Sequence, residues 1–484
     1  MPPVDRLLDS GKRLPTHGSI LPGIRADGYA GMMFDPHSIP ADPTAVNVLA
    51  GRGFEYRQID PADEAGLQAW VQAETRGFHH ARPEAPEMRR ALQVARQRNV
   101  RGVYDLSAHD AHLPVATIDG WPSGLSVPGG RSVDAWAVSG VTVSPTHRRR
   151  GIARALLEAQ LRYAKEAGAA LAMLTATEAT IYGRFGFSPA ASAATVHVDR
   201  RRAHWIGPES PGRVQFVEPA DLIGKAPAIA RRAVARTPGE IDRWPGMLER
   251  HLGLVDPSTR ESRAVRVARY DDVAGQTQGF VAFRVVRQPD EPGAVECDLF
   301  VAASDDAERA LWRFLVEQDF VTEIRVRLRS VDEPLPWLLE DPRAVSLHEV
   351  GDHLWLRIID PVAALSAREY GASGTLTLEV GDPLRHAAGT FVLDVAGDGR
   401  AEVRPAEETT DAAAGQFRSG RRSRPQAAHG LRLDARELAS IYLGGTRASV
   451  LARAGRITEL APGSLALADR LFHAPRTPHL SIWF

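Results

Sequence analysis

Residues 141–154 read VTVSPTHRRRGIAR, and their types suit the holding of a diphosphate. Val138, Val141 and Val143 alternate like a strand that stops at Pro145. Arg148, Arg149 and Arg150 follow as a basic turn. Gly151 then opens a stretch in which Ile152, Leu156, Leu157 and Leu161 recur near a 3.6-residue period. A helix start offers free N–H groups and the positive end of the helix dipole, and three guanidinium groups add charge-assisted donors. Gly151 lets the backbone approach a ligand closely. The bland alternative is a solvated basic helix start. A second stretch, 171–187, places TATEATIYGRFGF after the apolar run LAMLTAT and holds Tyr182, a phenol able to donate a proton. The chain ends in the apolar HLSIWF.

The elements that must position these groups follow from the rest of the chain. Its 484 residues are too many for one core and predict about three domains. The formal net charge is -1 and apolar content 44%, which predicts a soluble globular protein with no general attraction to nucleic acid or membrane. Positive charge is nearly all arginine, because Lys12, Lys165 and Lys225 are the lysines. One cysteine, Cys297, excludes an intrachain disulfide and fits a reducing, cytoplasmic setting. No Cys-x-x-Cys or His-Glu-x-x-His pattern supports a metal, and the N-terminus has no signal-peptide core. Export by another route stays open.

Residues 1–53, rich in proline and without a sustained period, predict an irregular leader. From 54 to 205 the order is strand, two helices, three strands, helix, strand, helix, strand. Asp60 or Asp63 caps the first helix, and Leu67, Trp70 and Val71 mark its buried face. The Gly/Pro-rich run from Trp121 to Gly130 predicts a hairpin turn. Residues 206–360 repeat the pattern, but ASDDAERA stands where the first copy has THRRRGIAR. Asp305 and Asp306 repel a diphosphate, so this copy is expected to keep the scaffold without the site. Residues 361–484 alternate like antiparallel strands and then carry helices. Their basic run RSGRRSRP (418–425) is expected to be a mobile loop, since no aromatic residue interleaves it.

The spacing Arg148-x-x-Gly151-x-Ala153, with IYGRFGF after an apolar strand, resembles the coenzyme A loop region of the GNAT acetyltransferases. Two such copies and a third domain, with WLRIIDPVAAL (355–365), SIYLGGTRAS (440–449) and the aromatic C-terminus, resemble the Eis (enhanced intracellular survival) N-acetyltransferases over roughly 54–484. The resemblance implies an α+β (mixed α/β) fold: two GNAT-like domains followed by a sterol-carrier-protein-like domain. It implies acetyl transfer from acetyl-CoA, without a metal, to amines of multi-amine substrates such as aminoglycosides or to protein lysines, and a homohexamer. It places the pyrophosphate at Arg148, Arg149, Arg150, Gly151, Ile152, Ala153 and Arg154, and adds cofactor contacts from Thr177 and Glu178. The backbone of Val141, Thr142 and Val143 is expected to grip the pantetheine arm. Tyr182 matches the family's general acid. Its general base is the C-terminal carboxylate, here that of Phe484. A free α-carboxylate has a reference pKa of about 3.5, so burial must help it.

Two departures stand out. Trp483 occupies a position where relatives carry an acid, and Gly140 one where they carry a bulky aromatic. A roomier, less electronegative pocket is expected, with Glu74, Glu84 or Asp134 as compensating acids and Phe78 or Trp121 as walls. The alternative to an enzyme is a non-catalytic coenzyme A sensor or a lipid-binding scaffold.

Overall fold

A computed structural model describes residues 35–287, 293–406 and 429–484. The basic run 418–425 lies outside the described residues, as does most of the expected leader. The first copy contains α1 (Pro43–Ala50), β1 (Glu55–Gln58), α2 (Glu64–Gly77), α3 (Ala85–Ala95), β2 (Asn99–Tyr104), β3 (Ala116–Val127), β4 (Arg131–Val143), α4 (Ile152–Glu166), β5 (Leu171–Thr175), α5 (Ala179–Tyr182) and β6 (Ser188–Asp199). The second contains β7 (Gly212–Val217), α6 (Pro219–Leu222), α7 (Ala226–Arg236), α8 (Met247–His251), α9 (Arg260–Arg263), β8 (Arg266–Asp272), β9 (Thr277–Val286), β10 (Gly293–Ala302), α10 (Asp305–Val316), β11 (Val321–Arg329) and β12 (Val345–Ile358). The last part contains α11 (Pro361–Ala367), β13 (Gly374–Gly381), β14 (Gly389–Val395), β15 (Ala401–Pro405), β16 (Gly430–Asp434), α12 (Ala435–Tyr442), α13 (Ala448–Arg453), β17 (Thr458–Glu459) and α14 (Ser464–Leu471).

The first two copies share one twelve-stranded sheet, β1-β2-β3-β4-β5-β12-β6-β11-β10-β9-β8-β7. Each copy's last strand is exchanged. β12 of the second copy pairs antiparallel with β5 of the first, and β6 of the first pairs with β11 of the second. The two exchanged strands also pair with each other, so the exchange leaves no edge open at the junction. Periodicity cannot reveal this, because an exchanged strand keeps its alternation.

The end of the leader differs from expectation. Asp42 caps α1, its side chain accepting from Ala45 N–H at 2.7 Å, with Pro43 at the first helical position. Asp42 also pairs bidentately with Arg162 of α4, at 2.7 and 2.8 Å. Ala45 and Leu49 are buried in the same apolar cluster as Leu156 and Leu157. An Asp-Pro cap ahead of a short apolar pattern was the available signal. The Trp121–Gly130 run also differs: β3 continues through Pro122 to Val127, and the turn comes only at its end. β2 pairs with β3 no further than Gly120, so the missing N–H of Pro122 falls on a locally open edge.

The third domain is a five-stranded sheet, β15-β14-β13-β16-β17, with α12 carrying an Asp434–Glu437 capping box. Two buried arginines tie it down. Arg357 of β12 donates to Asp382 at 2.7 Å, and that carboxylate also accepts from the N–H groups of Leu384, His386 and Ala387. Gly186 of the GRFGF string sits at φ 84°, and a Cβ there would lie 2.6 Å from Arg357 Nε. Arg368 donates to the carbonyls of Glu369, Tyr442 and Phe472, fixing the ends of α12 and α14. The chain that leaves Phe472 therefore starts from a rigid point. Among the described residues no helix is long and apolar enough to cross a membrane.

Candidate active site

β4 and β5 run parallel but pair only over Ala135–Ala137 and Leu171–Met173. Beyond that they separate, so from Val138 to Val143 the β5 side of β4 has no ladder partner. A β-bulge adds one residue to β4 between Ser139 and Thr142, opposite Ile118. Gly140 lies there at φ 61°, with its carbonyl accepting from the Thr117 hydroxyl at 2.7 Å. Val141 and Val143 are half-buried, and Thr142 is buried with its hydroxyl 2.6 Å from that of Thr117. The bulge re-aims the backbone of this segment into the gap.

The basic turn follows directly. Arg149 adopts φ 61° and Gly151 φ 72°, which turns the chain into α4. No side chain caps α4, so the N–H groups of Ile152, Ala153 and Arg154 keep their first-turn donor capacity. The side chains of Arg148, Arg149, Arg150 and Arg154 are exposed and have no ion-pair partner among the described residues. The sequence reading missed Arg52, in its expected leader. Arg52 Nη1 donates to the Arg150 carbonyl at 2.7 Å and lies 1.9 Å from where a Cβ on residue 151 would be. It brings another guanidinium to the turn. Unpaired cations, uncapped amides and a glycine-lined approach fit a diphosphate.

A cleft of about 700 Å³ opens where the strands part. Gly140, Val141, Thr175, Thr177, Tyr182 and Phe484 all line it. Glu178 precedes α5, outside the lining, without capping it, and accepts from the Thr180 hydroxyl at 3.1 Å. Tyr182 is buried beside Phe187, and burial raises its phenol above the ordinary value, opposed in part by a hydrogen bond with Thr177. The phenol is therefore protonated across the neutral range.

The C-terminus reaches this cleft along a pegged path. The apolar tail was expected to be strand-like; it forms no strand. Side chains hold its backbone instead. His479 N–H donates to the Pro238 carbonyl at 2.8 Å, and its ring contacts the Leu328 carbonyl at 2.7 Å. Ser481 bonds both Glu240 and Arg243. His353 Nε2 meets the Ile482 carbonyl at 2.7 Å. The Thr175 hydroxyl donates to the terminal carbonyl oxygen of Phe484. The Phe484 ring packs edge-on against Trp121, 5.5 Å between centroids, and the residue is 9% exposed.

The wall differs from the expected one at Gly140. A Cβ at residue 140 would come within 2.9 Å of Trp70, so the space is filled by the indole and not left open. Trp70 is held by its Nε1 donating to the Arg101 carbonyl at 2.8 Å. Of the acids offered as compensation, Glu74 lines the cleft; Glu84 caps α3 and Asp134 lies at the far, paired end of β4. Burial and neighbouring Asp119 push the Glu74 carboxyl up to about 8. Asp119 itself pairs with Arg98 at 2.9 Å, and Arg98 stacks on Trp121. Phe78 lines the cleft and Trp483 is half-exposed at its rim against His353.

Comparison with known proteins agrees with this arrangement. Models described as Acetyltransferase (GNAT) domain match residues 58–190 and 236–358, and a Sterol carrier protein domain model matches 361–481. These matches, with the splayed strands, make the chain a tandem GNAT N-acetyltransferase with a sterol-carrier domain, and GNAT domains imply use of acetyl-CoA. An uncharacterized N-acetyltransferase of Streptomyces avermitilis is 34% identical over 87% of this chain and 97% of its own length. N-acetyltransferase Eis of Mycobacterium tuberculosis is 34% identical over 69% of this chain and 76% of its own length. The crystal structure of Eis1 from Mycobacterium abscessus superposes with a TM-score of 0.71 at 31% identity, over 89% of this chain and 100% of that one. The chain belongs to the Eis family.

Proposed function

We propose that this chain acetylates primary amines of small multi-amine acceptors, aminoglycosides among them, by direct transfer. The observation that supports this most is that Tyr182 and the chain's own terminus, Phe484, line the cleft where β4 and β5 part. Bound acetyl-CoA supplies the acetyl thioester. In this reading Arg148 to Arg154 and Arg52 hold the pyrophosphate, with the α4 amides. Val141, Thr142 and Val143 offer their open backbone edge to the pantetheine arm, and one N–H there polarises the thioester carbonyl. Thr177 and Glu178 contribute through the chain after β5; the Glu178 carboxylate faces away from anion binding by its own charge. The Phe484 carboxylate takes the proton of the attacking amine. The Tyr182 phenol gives its proton to the departing thiolate. Asp119 supplies negative charge for a cationic acceptor, and Glu74 adds its own as pH rises through about 8.

Assembly into a homohexamer belongs to the same proposal, with exposed Phe320 and Trp337 as apolar surface for contact between copies. Sedimentation of the full chain checks it; a monomer rejects it. The activity is tested by thiol release from acetyl-CoA with an aminoglycoside as acceptor, on protein with a native C-terminus. Amine-dependent turnover that collapses in Tyr182→Phe is expected. Acetyl-CoA binding without release from any amine would return the chain to a sensor or scaffold.

A further inference from the structure

The acceptor cleft carries acids near its catalytic end and unpaired cations elsewhere on its wall. Arg90 of α3 and Arg250 of α8 both line it. Neither guanidinium has an ion-pair or hydrogen-bond partner among the described residues, unlike Arg98 in the same cleft, which is matched by Asp119 at 2.9 Å. The acid on the same helix, Glu87, accepts from the Glu84 N–H at 2.9 Å to complete the cap of α3, and supports the charge of Arg90 from a distance without bonding to it. Burial, and after it the nearby charge of Arg250, lower the Arg90 guanidinium below its ordinary value, opposed in part by Glu87. They come from different copies, so the fold sets two like charges on one cleft wall across the junction, neither in an ion pair among the described residues. The basic turn 148–154 is not part of this lining, so the pyrophosphate it is built for does not answer them.

We propose that Arg90 and Arg250 form an oxyanion-holding end of the acceptor cleft, and that the preferred acceptors are amines that also carry a carboxylate or phosphate. This rests on the transferase reading of the same cleft. Two guanidiniums on one cleft wall are a usual means of gripping such a group, because their N–H forks match its oxygens. A volume of about 700 Å³ holds a drug-sized molecule that spans both ends. Glu74, Asp119 and the terminal carboxylate receive the amine, and the arginines receive the anion. Acceptors of mixed charge engage both ends of the cleft, whereas polycations such as aminoglycosides engage its acid end alone.

The test uses the full chain with a native C-terminus. It measures kcat/KM for ω-aminocarboxylates, ω-aminoalkyl phosphates, alkylamines and α,ω-diamines of matched length, and equilibrium binding of the same compounds to protein loaded with coenzyme A. Wild type is compared with Arg90→Gln, Arg250→Gln and the double variant. Expected is a preference for the anionic amines of about tenfold or more, carried by KM and lost in the double variant. Whether carboxylates or phosphates gain more identifies the anion. Acetyl-CoA affinity reports the fold of each variant, and exposed Arg250 supplies the readout if Arg90→Gln does not fold. Turnover that favours alkylamines or diamines and is indifferent to both variants overturns the proposal while the transferase stands. Arginine-dependent binding of anionic amines without turnover of any amine upholds the anion site and sinks the transferase reading. Neither binding nor turnover of anionic amines overturns the proposal as well.

Discussion

The two copies answer one another strand for strand, yet their clefts have opposite contents. In the first, α4 starts uncapped at Gly151 behind exposed arginines, and β4 parts from β5 after Ala137. In the second, Ser304 caps α10 through Ala307 N–H at 3.1 Å, and Asp305, Asp306 and Glu308 fill its first turn. The donors that would meet an anion are used internally and screened by acid. β10 stays paired with β11 as far as Cys297 and Val326. The space beyond is a smaller cavity of about 350 Å³, walled by Arg329, which is buried between Glu333 at 2.8 Å and Glu308 at 2.9 Å, and by the C-terminal segment. Arg476 reaches Asp305, and His479, pushed down to about 4 by burial and so neutral, lies against Leu328. The second cleft has become the guide that carries the tail to the first. One scaffold thus carries the cleft in one copy and positions the chain's terminus, the proposed base, from the other.

The strongest way to break this comparison is to move the terminus without disturbing its guide. A single glycine added after Phe484 keeps every peg from His479 to Ile482 and displaces only the carboxylate. General-base contributions run at about 10²–10⁴-fold, so kcat is expected to fall by that order while the KM for acetyl-CoA holds. Steady-state kinetics on the extended chain decide it. Unchanged kcat would remove the terminus from the mechanism.

The second cleft should fail differently. Arg329→Met leaves Glu333 buried with only the Trp312 Nε1 donor at 2.8 Å, and breaking such a pair costs about 3–5 kcal/mol. Chemical denaturation should show that loss, and acetyl-CoA binding should persist in the folded fraction. Adding Glu333→Leu is expected to restore much of the stability, since it removes the stranded charge.

Charge reversal at the first turn sharpens the contrast. Arg149→Glu gives the first copy an acid of the kind the second carries. Loss of a charge-assisted contact is worth about 1.5–3 kcal/mol, so the KM for acetyl-CoA should rise about ten- to a hundredfold with little change in stability. Asp306→Arg in the second copy should create no binding, because Ser304 already occupies its cap and Asp305 and Glu308 remain in its first turn. Titration with coenzyme A reads both.

The basic turn and its uncapped helix start were legible because they are local: Arg148, Gly151 and Ile152 adjoin in sequence and act as neighbours. The acidic first turn of the second copy was legible for the same reason, from Asp305 and Asp306. What stayed hidden joins distant residues. The exchange of β6 and β12 is a choice of partner that leaves each strand's own pattern unchanged. The filling of Gly140 by Trp70 depends on how α2 lies over the bulge in β4, and the fourth guanidinium of the turn comes from Arg52, in a segment whose prolines suggested irregularity. The tail reads as a strand by composition, but its bonds go to Pro238, Glu240 and His353, which no periodicity can foretell.

The smallest expected effect concerns Glu74, whose environment has no counterpart lining the second cleft. Its folded pKa of about 8 lies above the unfolded value near 4.5, so folding favours the protonated form. The stability tied to that proton is fully present below about 4.5 and is lost as pH rises through about 8. Glu74→Gln removes this dependence. The full shift is discounted because the cleft admits water, leaving a gain of about 1–3 kcal/mol over wild type at pH 9 and none from this charge at pH 4. Denaturant midpoints across that range measure it. The same substitution takes a counter-charge from the amine end of the cleft, so kcat/KM for a diamine should fall more at pH 9 than at pH 6. If both quantities were flat with pH, the carboxyl would be ordinary, and the cleft's acid end would rest on Asp119 and the terminus alone.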